Sequence, residues 1–342
     1  MSLIFIEGFD DGLLSQKWSA FSGLNVGAGG RTGNKCQLSD NSDSVLRRTV
    51  AVSDEHATFI VGSAFMVESS YNAANILGFF SDTMVTTHVW LGVNSNNAIV
   101  IRRGDGTVLG TSTSNTLIPG TWSYVEVKMT LGDGTAGSVI VRVNNTIVLN
   151  LVGIDTKNGG TKTVLESFGW FASSGPTGTA FDVDDVYCCN GAGTINNDFL
   201  GDCSVETLYP SGNGNYSQLL GSDGDSINNY LLVDEPGTPN TTDYVGSAVD
   251  GQRDTYAFTD LTHVTGAVKG VAVRAYAAKS DTGGRSLSNV VRSGGTDAVL
   301  TAQGLGATYG MVANILEQNP VGPANWTIAS VNAAEFGVQV AP

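Results

Sequence analysis

One run of sequence does most to decide the fold class. In SYVEVKMTL, residues 123–131, Val125, Val127, Met129 and Leu131 alternate with Tyr124, Glu126, Lys128 and Thr130. A period of two puts the apolar set on one face and the polar set on the other, as in a strand with one side in a core and one in water. GDGTAG then turns the chain. SVIVRV and TIVLNLV follow, joined by Asn144-Asn145, two residues that tolerate the positive φ of a tight hairpin. AIVIRR-GDG-TVLGTS repeats the device with Asp105-Gly106 in its turn. No amphipathic helical pattern of ten or more residues interrupts these runs, and VNAAEFG near the C-terminus reads as one or two helical turns. Short, closely spaced strands with glycine-rich turns predict an all-β chain of the sandwich or jelly-roll kind.

Composition bounds the rest. A chain of 342 residues suggests two domains. At this size it could bury roughly 75% of its unfolded surface, enough for a core without metal or disulfide staples. Asp and Glu number 32 against 17 Lys and Arg, a formal charge of −15. That balance disfavours nucleic-acid binding and adhesion to anionic lipid. No apolar run of about 20 residues predicts membrane insertion. MSLIFIEGFDD lacks the basic start of a signal peptide, so cytoplasmic synthesis is expected. The texture changes after Cys189, where NGAGTINND reads as a linker. The expected division is a first domain at 1–192, a linker at 193–197 and a smaller β-rich domain at 198–342. In the second, PSGNGNYSQLLGSDGDSINNY and DEPGTPNTTDYVGS read as long polar loops, and VKGVAVRAYAAK, SNVVRSG and YGMVANILEQ as strands.

The stretch Phe181–Cys203 holds five aspartates and three of the four cysteines in 23 residues. It reads first as the seam closing one domain and opening the next. Calcium held by Asp10, Asp11, Asp182, Asp184 and Asp185 is the functional rival. The plainer account has these carboxylates accepting backbone N–H groups at a bulge or turn. Cys188 and Cys189 are adjacent, so on a strand they point to opposite faces and one at most enters the core. Free thiols are expected, with a disulfide from the outward one to Cys36, Cys203 or a neighbouring chain as the alternative. The spacing does not make a CxxC redox centre. His56, His88 and His263 are scattered, and no nucleophile or metalloprotease motif occurs. GAGGRTG misses the dinucleotide spacing, and DGDSINN lacks the central glycine and closing glutamate of a calcium loop. No catalytic residue, cofactor or metal ligand is therefore assigned. Trp90, in THVWLGVNSNN, has the best surroundings for stacking on a sugar. The plainer reading places Trp18, Trp90, Trp122 and Trp170 alike in core or strand-edge packing.

The ordered series EGFDDGLLSQKW, PGTWSYVEVKMTLGDGTAGSVIVRVNNTIVLNLVGIDT, FDVDDVY, NDFLGDCSVETLYPSGNGNYSQ, DTYAF and NWTIASVNAAEFGVQ resembles tailed-bacteriophage virion structural proteins of the tail or fibre type. The resemblance spans nearly the whole chain and carries no catalytic signature. It implies a concanavalin/laminin-G-like jelly roll in the first domain, with first and last strands side by side. It further implies a virion component made in the host bacterial cytoplasm, associated with tail, collar or fibre, or decorating the capsid. Such a component works by assembly with other virion structural proteins and as a homo-oligomer, and its outward loops touch a host surface glycan. The expectation is a chain without enzymatic activity. A carbohydrate-binding or receptor-binding module is the alternative, and a glycan-cleaving enzyme comes last.

Overall fold

A computed structural model of the chain describes residues 1–39, 43–68, 73–81, 86–172 and 180–342. It is all-β, built of antiparallel sheets, and among the described residues no α-helix exceeds five residues. The chain divides into two compact units, Met1–Phe9 with Lys17–Val205, and Asp10–Gln16 with Glu206–Pro342. The boundary therefore falls after Val205, beyond the expected linker at 193–197, and a short N-terminal excursion joins the second unit.

The first unit is a jelly-roll sandwich. One sheet runs in the order Thr146–Ile154, Gly137–Val143, Ser123–Thr130, Thr58–Val67, Ala180–Asn190, Asn34–Ser39, Leu24–Ala28. Leu3–Glu7 pairs antiparallel with the later part of Ala180–Asn190, so first and last strands do lie side by side. The facing sheet runs Val108–Thr111, Ile99–Arg103, Thr86–Val93, Ala73–Ser81, Ser167–Ala172, Ser44–Thr49, Ala20–Ser22. Inward positions of the two sheets make the core, with Phe59, Phe65, Phe79, Leu91, Val127, Phe168, Trp170 and Phe181 all closed to solvent or nearly so. The sheets leave between them a cavity of about 10 Å³ lined by Phe65, Leu91, Val125 and Trp170, room for one water at most. Turn chemistry follows the sequence: Asn144 and Asn145 take φ of 47° and 66°, and Gly106 takes 91° in the Asp105-Gly106 hairpin.

One expectation on the Ser123–Thr130 strand is corrected. Val125, Val127 and Met129 do face the core, but the opposite face is not wet, since Tyr124 and Glu126 are buried. Alternation sets which residues share a face, and what covers that face comes from elsewhere in the chain.

In the second unit, a sheet runs Pro210–Ser217, Arg253–Phe258, Glu335–Ala341, Ser286–Ser293, Thr296–Val299, with Gln303–Gly304 also pairing Ser286–Ser293. Val271–Ala277 and Gly310–Leu316 form a separate pair. Val273, Val291, Trp326, Val331, Ala334 and Phe336 form its core. Two readings are corrected here. PSGNGNYS is a strand, although it lacks alternating apolar residues. Gly214 permits its close approach, because a Cβ there would lie 2.4 Å from Glu335 Oε2 and 2.6 Å from Thr255 Oγ1. VNAAEFG is split: the helix is Ile328–Asn332, capped reciprocally by Thr327 and Ser330, and Glu335–Ala341 is the last strand.

Candidate functional site

The aspartate-rich seam resolves into a fastening. Ala180–Asn190 carries a bulge between Asp184 and Tyr187, where Asp185 takes φ 51°. The chain then doubles back, and residues 198–205 cross the outer face of the first sheet, tied down by hydrogen bonds. Tyr187 donates its hydroxyl to Glu126 Oε1 at 2.5 Å, and Gly201 N–H donates to the same oxygen at 2.8 Å. Leu200 N–H donates to the Tyr187 hydroxyl, Asp202 N–H to Asn145 Oδ1, and Val205 N–H to Asp185 Oδ1. Arg31 forms ion pairs with Asp202 at 2.8 Å and with Asp185 at 3.6 Å, and Arg142 lies 4.9 Å above the Phe199 ring.

Each aspartate of FDVDDVY has an assigned partner. Asp182 pairs with Lys35 at 2.5 Å, and Asp184 accepts from Asp185 N–H and Arg31 N–H at 2.7 and 2.8 Å. Burial, reinforced by the neighbouring Asp185 charge, pushes the Asp184 carboxyl up to about 8. Asp10 and Asp11 group with the second unit, where Asp11 pairs with Arg274. Among the described residues, no three or more His, Cys, Asp or Glu side chains are grouped so as to hold a metal ion. In DGDSINN, Asp223 and Asp225 accept backbone N–H groups of their own loop.

No disulfide joins Cys36, Cys188, Cys189 or Cys203 among the described residues. Cys188 lies opposite Val61, an inward residue, and Cys189 opposite Ile60. Both are buried, as is Cys36. The thiol expected to look outward is thus covered as well. Burial raises the Cys36 and Cys188 thiols far above their ordinary range. His88 is buried beside Ser81, which invites comparison with a nucleophile and base. Asn158 N–H donates to Nδ1, leaving Nε2 to carry the proton toward Ser81 Oγ at 2.9 Å, and Ser81 in turn donates to Val164 O. This chain of bonds holds a loop in place. Arg103, Gly104 and Asp105 close a hairpin, with Arg103 paired to Asp105 and Asp155.

Trp90 stands apart from the other tryptophans of the first unit. Trp18 and Trp170 are core; Trp122 and Trp90 are both half-buried, Trp122 just before the Ser123–Thr130 strand and Trp90 on the outer face of the seven-stranded sheet. It packs edge-on against Phe80 and Phe171, each at 5.3 Å between ring centres, and those two rings lie 5.4 Å apart. Two of the rings close over Gly78, where a Cβ would lie 2.4 Å from Phe80 and 2.6 Å from Trp90. Arg102 is the direct cross-strand partner of Trp90. An aromatic surface beside a guanidinium can stack on a pyranose and bond its oxygens. Phe80, Phe171 and Arg102 were not singled out in the sequence. A signal was present: GFF at 78–80 and GWF at 169–171 each place a glycine and an aromatic two apart, on one strand face.

Compared with known proteins, the chain matches no family model and no curated protein. Solved structures similar to it include the cellulose-induced protein Cip1, at 12% identity over 52% of this chain and 95% of that one, TM-score 0.39. An endo-β-1,4-glucuronan lyase from the fungus Trichoderma reesei is 12% identical over 53% and 93%, TM-score 0.37. A Trypanosoma rangeli sialidase with 2,3-difluorosialic acid is 14% identical over 49% and 27%, TM-score 0.36. The neighbours are carbohydrate-binding or glycan-active proteins at low identity. The expectation that the chain has no enzymatic activity is corrected by this finding, since a lyase and a sialidase stand among them.

Proposed function

We propose that the first unit is a carbohydrate-recognition sandwich that engages glycan on the outer face of the seven-stranded sheet. The observation that carries the reading is the cluster of Trp90, Phe80 and Phe171 on a sheet face, with Trp90 and Phe171 half-open above a buried Phe80 and Arg102 opposite Trp90 on the next strand. The opposite sheet's outer face is occupied by residues 198–205. The setting comes from the sequence resemblance: a tailed-phage virion component, joined to copies of itself and to other virion proteins, meeting a host surface glycan. Exposed apolar side chains in the second unit, Leu220, Ile227, Leu231, Tyr244 and Val249, support the assembly part of this proposal.

The test is a panel of host-surface polysaccharides titrated against the full chain, with Trp90→Ala beside it. Binding by the native chain, lost in Trp90→Ala at unchanged fold, is the expected result. Product analysis of the same mixtures reports any cleavage. Equal binding by both chains would place the glycan site elsewhere.

A further inference from the structure

A short ribbon of the second unit leaves one apolar face open. Leu220–Gly221 pairs with Val245–Gly246, Leu220 opposite Gly246 and Gly221 opposite Val245. The pairing continues one step further, where Ser222 N–H donates to Tyr244 O and Tyr244 N–H donates to Ser222 Oγ. Residues directly opposed, or two apart along a strand, share a face. Leu220, Ser222, Tyr244 and Gly246 therefore lie on one face, with Gly221 and Val245 on the other. The second face is packed, since Gly221 is buried and a Cβ there would lie 2.6 Å from Leu232 Cδ1. The first is open: Leu220 is 57% exposed and Tyr244 49%, and a Cβ on Gly246 would meet no described atom within 4 Å. A leucine and a tyrosine diagonal across two strands, beside a position without a side chain, make an apolar shelf.

The charge around this shelf is of one sign. Asp223 and Asp225 lie in the turn that follows Ser222, and Asp243 precedes Tyr244, so three exposed carboxylates stand at the same end of the ribbon. Asp223 and Asp225 accept backbone N–H groups of that turn and Asp243 accepts from Asn240, but none of the three forms an ion pair among the described residues. No lysine or arginine occurs between Lys162 and Arg253. A second copy of the ribbon carries no basic group with which to answer these carboxylates. A two-fold contact would leave them facing like charge or apolar surface, and either opposes association. From the shelf and its acidic end we infer that the ribbon is a docking surface for a basic, apolar segment of a different protein. An aliphatic side chain of that partner seats against Leu220 in the space above Gly246. Its Lys or Arg reaches Asp223, Asp225 and Asp243, and the Tyr244 ring offers its face to the same cation. The inference rests on the assembly part of the proposed function and names the partner's chemistry.

The experiment uses the full chain and three labelled peptides of equal length: alternating Leu and Lys, alternating Ser and Lys, and alternating Leu and Glu. Affinities are read by fluorescence anisotropy. The Leu/Lys peptide should bind about tenfold or more tighter than either control, and more weakly as salt rises. In Leu220→Ser with Tyr244→Ser that preference over Ser/Lys should vanish, and in Asp223→Asn with Asp243→Asn the salt dependence should fall. Equal binding of Leu/Lys and Ser/Lys overturns the shelf, and equal binding of Leu/Lys and Leu/Glu overturns the role of charge. A preference that survives Leu220→Ser with Tyr244→Ser puts the contact elsewhere and overturns the inference. Sedimentation of the chain alone separates this from the assembly reading. Self-association lost in the Leu220→Ser, Tyr244→Ser variant gives the ribbon to a second copy, which overturns the basic partner and leaves assembly standing. Neither peptide binding nor self-association sinks both. The three-peptide comparison uses only the native chain, so it holds even where a variant misfolds.

Discussion

Replacing Gly78 by alanine tests whether the Trp90 cluster has the geometry described. The added methyl would lie 2.4 Å from Phe80 Cζ and 2.6 Å from Trp90 Cζ3. Comfortable carbon contacts begin at about 3.5 Å, so a ring must move. Gly78 is not among the residues with positive φ, so the backbone itself accepts alanine. Phe80 is only 1% exposed and is held on its other sides, whereas Trp90 is half-buried and can swing outward. Moving it forfeits two edge-on ring contacts worth about 0.5–1.5 kcal/mol each. Overpacking by itself costs about 1–3 kcal/mol and overlaps with that loss. The net expectation is a destabilisation of roughly 2–3 kcal/mol. For a unit of this size each kcal/mol shifts Tm by about 2–4 °C, so the fall should be roughly 5–10 °C. Differential scanning calorimetry on the full chain measures it, and near-ultraviolet circular dichroism reports the tryptophan's surroundings. In a Trp90→Ala background the same substitution should cost under about 1 kcal/mol, because Phe80 can lean into the vacated space. An unchanged Tm with an unchanged tryptophan signal would refute the reasoning, as would an equal loss in both backgrounds.

Three further outcomes follow from the fastened segment and the thiols. Glu126→Ala removes the acceptor of both Tyr187 and Gly201, and should cost about 2–4 kcal/mol in urea unfolding and speed proteolytic cleavage within 193–205; a cleavage rate equal to the native chain's would show that Glu126 does not hold the segment. Asp184 is protonated up to about pH 8 when folded but has an ordinary carboxyl pKa when unfolded, so between these values the folded state binds the extra proton. Its contribution to stability is present below the unfolded pKa and is lost as pH rises toward 8; Asp184→Asn should flatten that part of the stability–pH curve, and an unchanged slope would count against the raised pKa. Brief alkylation of the native chain should label Cys203, which is half-buried, and leave Cys36, Cys188 and Cys189 unmodified until denaturant is added; mass spectrometry of the peptides decides it.

The sequence by itself determined the strands and turns of the first unit. Period-2 runs such as SYVEVKMTL place their apolar side chains inward, because successive side chains on a strand point to opposite faces, and Asn144-Asn145 and Asp105-Gly106 turn the chain where they should. The same local logic missed Pro210–Ser217, whose glycines serve a close approach to Thr255 and Glu335 that no periodicity announces. It singled out Trp90 but could not gather Phe80, Phe171 and Arg102 around it. Phe80 and Arg102 come from the strands before and after it, Phe171 from one far along the chain, and only pairing register brings them to one face. Likewise, alternation placed Glu126 and Tyr124 opposite the core but could not show that residues 198–205 return to cover them. Local steric preference is written residue by residue. Which faces are buried, paired or left open depends on segments that meet only when the chain closes on itself.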